Sequence, residues 1–178
     1  MLSTITKEQR KKIIEGFVSK DIDIVYIDMD NVLVDFASGI ETLTPAELEE
    51  YKGRYDEVPH IFSKMIPMEG AVEAFKFLSR YFDVYILSTA PWNNPSAWAD
   101  KLEWVKRYLG GEKDDPAYKR LILTHHKNLN KGKYLIDDRI DKNGSGHFSG
   151  QLIQFGSEKY PDWKSVTDYL GEIFISTS

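Results

Sequence analysis

Ile22-Asp23-Ile24-Val25-Tyr26-Ile27-Asp28-Met29-Asp30-Asn31 decides the fold. It is a short apolar run, rich in Ile, Val and Tyr, that stops at two carboxylates. Such a run reads as a buried strand of a parallel sheet. Side chains two apart share a direction while the strand lasts, and acids at its carboxyl end sit where open α/β sheets bind ligands. Two close carboxylates repel unless a cation or a proton separates them. Asp28 and Asp30 therefore point to a Mg²⁺ site with one carboxylate left to act on a substrate; the plainer alternative is a pair of strand-end acids solvated in a loop.

Outward from this stretch, strands and helices alternate. Residues 6–19 predict a leading helix, with capping-box spacing at Thr6-Lys7-Glu8-Gln9 and a stripe of Ile13, Ile14 and Phe17. Thr44-Pro45-Ala46-Glu47 is a second capping box, with Pro suited to the first turn. Residues 36–67 carry helix rather than strand signals and read as a small helical insertion, flanked by Gly39 and Gly70 as hinge candidates. Residues 69–81 predict a helix, 83–88 a strand, and 96–109 a helix with a stripe of Trp98, Leu102, Val105 and Leu109. Strands follow at 121–124, 134–137 and 151–155, and Pro161 opens a last helix with Trp163, Val166, Leu170 and Ile173 inward. The pattern predicts an α/β fold: a doubly wound, Rossmann-like parallel sheet of about five strands, with a small helical cap after the first. One domain over residues 1–178 is expected, its core at 20–35 and 68–178 and its cap at 36–67.

Composition narrows the partners. A net charge of −5 argues against a polymeric nucleic acid as ligand, but a metal ion and a lysine reverse the sign locally for a small phosphate. There are no cysteines, so disulfides, thiolate zinc sites and a Cys nucleophile are excluded together. The apolar runs are too short to cross a bilayer, and the N-terminus lacks a signal-peptide pattern, so a cytoplasmic location is expected.

Four predicted strands end in groups suited to phosphate chemistry: Asp28 and Asp30, then Ser88 and Thr89, then Lys127, then Asp137-Asp138-Arg139. Parallel strands bring these ends to one sheet edge. Carboxylates suit a hard cation, and an ammonium offsets charge on phosphate oxygens. Asp28-Met-Asp30-Asn-Val, Ser88 after an apolar strand, Lys127, and Ile136-Asp137-Asp138-Arg139 resemble the four motifs of the haloacid dehalogenase (HAD) superfamily, in order. Within it the chain is similar to the 5′(3′)-deoxyribonucleotidases, through Val32-Leu-Val-Asp35-Phe36, Pro67-Met-Glu-Gly70-Ala71, Lys101-Leu-Glu-Trp104-Val105 and Leu123-Thr124 ahead of Lys127.

The resemblance implies a Mg²⁺-dependent phosphomonoesterase acting on deoxynucleoside monophosphates. Asp28 is then the nucleophile that forms an aspartyl phosphate, and Asp30 the acid and base. Ser88 and Thr89 bind phosphate with Lys127. Asp28, the main-chain carbonyl of Asp30, and Asp138 hold Mg²⁺, and Asp137 is either a ligand or an acceptor that orients a metal-bound water. Phe36 matches a pocket aromatic by position; Trp92 and Lys101 are further substrate-contact candidates. Two departures stand out. Asn31 replaces a frequent Gly, a change expected to alter only the turn, and the cap is shorter than in the animal enzymes, without their aromatic cluster.

Other residues have plainer readings. Lys131 and Lys133 compete with Lys127 as the loop cation, and Lys101 reads equally as a solvated helix charge. His125-His126 are loop residues without a third metal ligand, with His125 a pocket neighbour of the site, and His60 and His147 are structural or exposed. Trp98, Trp104 and Trp163 belong to the core, and Asn143-Gly-Ser-Gly146 is a turn. Competing functions are a phosphatase of another small metabolite and a receiver-like phospho-acceptor module, whose fold also gathers Asp, Ser/Thr and Lys around Mg²⁺.

Overall fold

Short apolar runs separated by helical segments give, in chain order, β1 (Ile24–Ile27), β2 (Val34–Asp35), α1 (Phe36–Ile40), α2 (Pro45–Glu50), α3 (Ile61–Lys64), β3 (Ile66–Pro67), α4 (Ala71–Leu78), β4 (Asp83–Ser88), α5 (Ser96–Leu109), β5 (Leu121–Leu123), β6 (Tyr134–Asp137), β7 (Gln151–Gln154) and α6 (Trp163–Thr177). The structure, a computed structural model, describes residues 22–177; the helix expected over residues 6–19 lies outside them. Five strands form one sheet in the order β5-β4-β1-β6-β7. Every neighbouring pair is parallel, as the alternation of strands and helices requires. Ile27 stands level with Ile86 on one side and Ile136 on the other, so Asp28, Ser88 and Asp137 emerge along one edge.

One face of the sheet carries the main core. Val25, Ile27, Val84, Ile86, Ile136 and Ile153 pack against Phe75 and Leu78 of α4, Trp104 and Val105 of α5, and Trp163, Val166 and Leu170 of α6. Truncating a residue such as Phe75 to Ala there costs about 3–5 kcal/mol. The other face has a smaller cluster of Tyr26, Leu87, Leu135 and Phe148.

The insertion leaves and rejoins the core through β2 and β3, which pair antiparallel with Val34 opposite Pro67. This two-residue stem is strand where helix signals alone were expected; the ladder is too short to register as a pattern. The capping box of α2 forms as expected, Thr44 Oγ1 accepting from Glu47 N while the Glu47 carboxylate accepts from Thr44 N at 2.8 Å. Gly39 is buried in α1, where a Cβ would lie 2.8 Å from Met65 Cγ; it serves close packing of the insertion upon itself.

The stripe expected on α5 is displaced. Trp98 and Leu102 are each 42% exposed, whereas Ala97, Asp100, Lys101, Trp104, Val105 and Leu109 are buried. The inward face keeps the helical period, but two of its positions are charged, and hydropathy alone shifts the stripe to the neighbouring flank. Trp104 and Trp163 are core, each donating from its indole N–H, to Met65 O at 3.1 Å and to Val32 O at 2.8 Å. These bonds satisfy donors that burial would otherwise leave unpaired.

Candidate active site

β1 ends in a tight turn. Asp28 N still donates to Ile136 O at 2.9 Å, and Met29 O then accepts from Val32, Leu33 and Val34. The reversal puts Asn31 in the left-handed region at φ 58°, where Asn is tolerated. Asn31 does more than turn the chain: its Nδ2 donates to Asp138 Oδ2 at 3.4 Å. Gly could not supply that contact, and only a side-chain reading of position 31 would have found it.

Lys127 is the hub of the strand-end group. It opens a 3₁₀ turn after β5, is buried, and reaches Asp28 Oδ1 at 3.0 Å and Asp137 Oδ2 at 2.6 Å. Burial works against its ammonium, but the two carboxylates outweigh it and hold its pKa above the ordinary lysine value. The rival lysines lie elsewhere: Lys133 pairs with Asp23 at 2.6 Å at the other end of the sheet, and Lys131 is exposed.

Asp28, Asp137 and Asp138 each present a carboxylate oxygen within 4.8 Å of the others. The two aspartates after β6 are not equivalent. Asp137 is fully engaged, Oδ2 with Lys127 and Oδ1 accepting from Arg139 N at 3.0 Å. Asp138 Oδ1 is buried without a hydrogen-bond partner, its nearest cation being Arg139 Nε at 3.9 Å. Burial and the charge of Asp28 raise the pKa of both, that of Asp137 to about 6.

Asp30 faces the insertion. Its Oδ1 accepts from Lys101 Nζ at 2.7 Å, and the same ammonium donates to Ser88 Oγ at 3.1 Å. Lys101 is 0% exposed and lies 4.5 Å from the centre of the Phe62 ring, which is edge-on to Phe36 at 5.9 Å. Burial raises the pKa of Asp30, and the Lys101 charge only partly offsets it. Lys101 thus faces the carboxylate that shares the first motif, and α5 spacing from Ala97 to Trp104 was the signal that put it inward.

The remaining candidates sit further out. Thr89 Oγ1 donates to Thr124 O at 2.7 Å, tying the loops after β4 and β5. Trp92 is 81% exposed and edge-on to the half-buried His125 at 5.9 Å. The insertion is fastened to α5 and the loop before it. Asn94 is buried and donates to Asp56 O and Val58 O at 2.8 and 2.9 Å, Asn93 reaches Glu57, and His60 Nδ1 lies 3.3 Å from Asp100 Oδ1.

A divalent cation fits this donor set. The donors are all oxygen, one of them buried and unpaired. Four carboxylates (Asp28, Asp30, Asp137, Asp138) face two buried ammoniums (Lys101, Lys127), which leaves an excess of negative charge that such an ion would balance.

Residues 37–164 match the family described as 5′ nucleotidase, deoxy (Pyrimidine), cytosolic type C protein. A protein of Vibrio phage KVP40, named as a candidate 5′(3′)-deoxyribonucleotidase, is 61% identical over 150 residues, covering 84% of this chain and 85% of its own. A similarly named protein of Staphylococcus aureus strain Mu50 is 30% identical over 159 residues, with 80% and 84% covered. The HAD hydrolase YfnB of Bacillus subtilis, solved bound to magnesium, superposes with a TM-score of 0.53 at 11% identity, over 80% of this chain and 90% of that one; at that identity the likeness concerns the fold.

Proposed function

The chain belongs to this family of cytosolic type C deoxypyrimidine 5′-nucleotidases, phosphatases of the HAD superfamily, and on that premise we propose that it is a 5′(3′)-deoxyribonucleotidase. Its substrate is a deoxynucleoside monophosphate, which it hydrolyses in the cytoplasm in two displacements through Asp28. The observation that carries this reading is the meeting of Asp28, Asp137, Asp138 and Lys127 at the strand ends, with Asp30 held separately by Lys101.

Asp28 and Asp138, with the main-chain carbonyl of Asp30, would hold Mg²⁺. Bound there, the ion would supply Lewis-acid withdrawal of charge from the phosphoryl oxygens. Asp137 orients Lys127 and the metal's surroundings, since both its oxygens are occupied by protein donors. In the first displacement an Asp28 oxygen forms a bond to phosphorus while the ester P–O bond breaks, and Asp30 gives its proton to the departing sugar oxygen. Burial favours the protonated Asp30 needed for that step. In the second, Asp30 takes a proton from water as the water oxygen bonds to phosphorus, and the bond to Asp28 breaks to release inorganic phosphate.

Lys127 offsets charge on Asp28 and the transferring group, and Ser88 donates its hydroxyl to a phosphate oxygen. Thr89 supports the same phosphate-binding loop through its bond to Thr124. Lys101 aims Asp30 and Ser88 at the substrate. Phe36 and Trp92 contact the nucleoside, and residues 36–67 form the cap above a core of residues 20–35 and 68–178. Phosphate release from a panel of 5′- and 3′-deoxynucleotides, ribonucleotides and sugar phosphates, with and without Mg²⁺, tests the reading. Mg²⁺-dependent turnover of deoxynucleotides is expected, and turnover confined to sugar phosphates would overturn it.

A further inference from the structure

We propose that the Asn143-Gly-Ser-Gly146 turn is a clasp that sets Lys127 between Asp28 and Asp137, with Gly144 and Ser145 as its positioning residues. The inference rests on the part given to Lys127 in the reaction above. Sheet order alone does not bring this lysine to the site. It follows β5, which stands two places from β1 and three from β6. Strands spaced about 4.8 Å apart make those offsets about 10 Å and about 14 Å, farther than the four-carbon stem of a lysine spans. Its Nζ nevertheless lies 3.0 Å from Asp28 Oδ1 and 2.6 Å from Asp137 Oδ2. The main chain must therefore carry Lys127 across the end of β4 and be held beyond it.

Hydrogen bonds mark the crossing. Thr124 N donates to Ser88 O at 2.8 Å, and Thr124 O accepts from Thr89 Oγ1, which tethers the chain to the end of β4. His126 N donates to Thr124 Oγ1 at 2.9 Å, turning the chain. Lys127 N then donates to Asn143 O at 2.8 Å. That acceptor belongs to the loop that follows Asp137 and carries Asp138. One loop thus supplies a carboxylate at its start and, further along, the main-chain anchor of the lysine that faces it.

The turn is built to hold this carbonyl still. Asn143 and Gly144 both have positive φ, 50° and 81°, a conformation that Asn and Gly tolerate best. Gly144 sits against the residue after Lys127: a Cβ there would lie 2.2 Å from Asn128 Oδ1 and 3.2 Å from Asn128 N. Asn128 could swing its exposed side chain aside, but its main-chain nitrogen moves only with Lys127. Ser145 is buried, its Oγ 2.6 Å from Arg139 O and 2.9 Å from Lys142 O, which draws the residue after Asp138 to the turn. A plain surface turn would leave that hydroxyl in water. Phe148 is buried edge-on to Tyr26 of β1 at 5.9 Å and foots the clasp on the sheet.

Lysine labelling with acetic anhydride, read by mass spectrometry, tests the clasp apart from turnover. Lys127 should be protected in the unaltered protein. Ser145→Ala and Gly144→Ala should each raise its labelling rate about tenfold and lower kcat about tenfold with a smaller change in KM. Gly156→Ala is the control. At φ 78° it carries the same backbone cost, but nothing lies within 4 Å of its Cβ, and both readouts should stay within about twofold of the parent. Lys127 still protected in folded Ser145→Ala and Gly144→Ala, or equally loosened in Gly156→Ala, would overturn the proposal. Should both variants fail to fold, the Lys127 amide of the unaltered chain decides: it should exchange at least about tenfold more slowly than in an unfolded peptide, and exchange at the unfolded rate would contradict the clasp. Loosened Lys127 labelling beside a parent that turns over no deoxynucleotide would support the clasp and remove the reaction proposed for it.

Discussion

The strand-end side of the site, Asp28 with Asp137, Asp138 and Lys127, and the insertion side, Asp30 with Lys101, Ser88 and Phe62, hold their charges by different means. On the strand-end side one lysine bridges two carboxylates that the sheet register has already brought together. Its geometry follows from strand pairing and survives small movements elsewhere. On the insertion side the ammonium comes from a helix, its aromatic neighbour from the insertion and its hydroxyl from β4. That half exists only while α5 and residues 55–65 stay packed, and bonds such as those of Asn94 and Trp104 keep them so. On the proposed mechanism, the difference separates a fixed nucleophile from an acid–base group whose aim depends on packing.

The largest expected effect falls on the fixed half. Asp28→Asn should lower kcat by at least about 10⁴-fold with unchanged far-UV circular dichroism; activity near that of the parent would mean another group attacks phosphorus. Next comes Lys101→Met, expected to lower kcat by about 10²-fold with a smaller change in KM. Losing the cation that lowers the Asp30 pKa should also move the acid limb of the kcat–pH profile to higher pH. An unmoved limb would reduce Lys101 to a packing residue. Asn94→Ala should cost about 2 kcal/mol in urea unfolding, through two lost buried hydrogen bonds, and should lower activity while leaving Mg²⁺ affinity intact. Equal losses of activity and metal affinity would show that the halves are not separable.

The smallest effect is one of pH. The Asp137 pKa is raised to about 6 in the folded protein, above the usual value of about 3.9 for an unfolded chain. The folded state thus binds that proton more tightly, and the stability it contributes is full below about pH 4 and lost as pH rises through about 6. Without metal, Tm should fall by about 5 °C between pH 4.5 and 7. Asp137→Asn should flatten the slope, and Mg²⁺ should raise Tm more at pH 7 than at pH 5. A metal-free Tm that rises over this interval would contradict the assignment.

Legibility in the sequence divides along the same line. Asp28, Ser88 and Asp137 stand at the ends of short apolar runs and Lys127 in the loop after another, so strand order carries them to one edge and the alternation of strands with helices gives the sheet directly. The insertion side has no such rule. Lys101 reads as a surface charge until its helix phase is known, and Asp100 and Lys101 on the inward face drew the apparent stripe of α5 to Trp98 and Leu102. Asn31 reads as a turn residue alone because its reach to Asp138 crosses 107 positions. The β2–β3 stem was hidden by its length. What escaped were contacts between elements, which local periodicity does not encode.

Rapid acid quenching of turnover with a ³²P-labelled deoxynucleoside monophosphate, followed by peptide mapping, tests the role of Asp28 most directly. Label on the peptide spanning residues 22–31, absent in Asp28→Asn, is the predicted result. Label on a different peptide, or turnover with no protein-bound phosphate at any quench time, would contradict it.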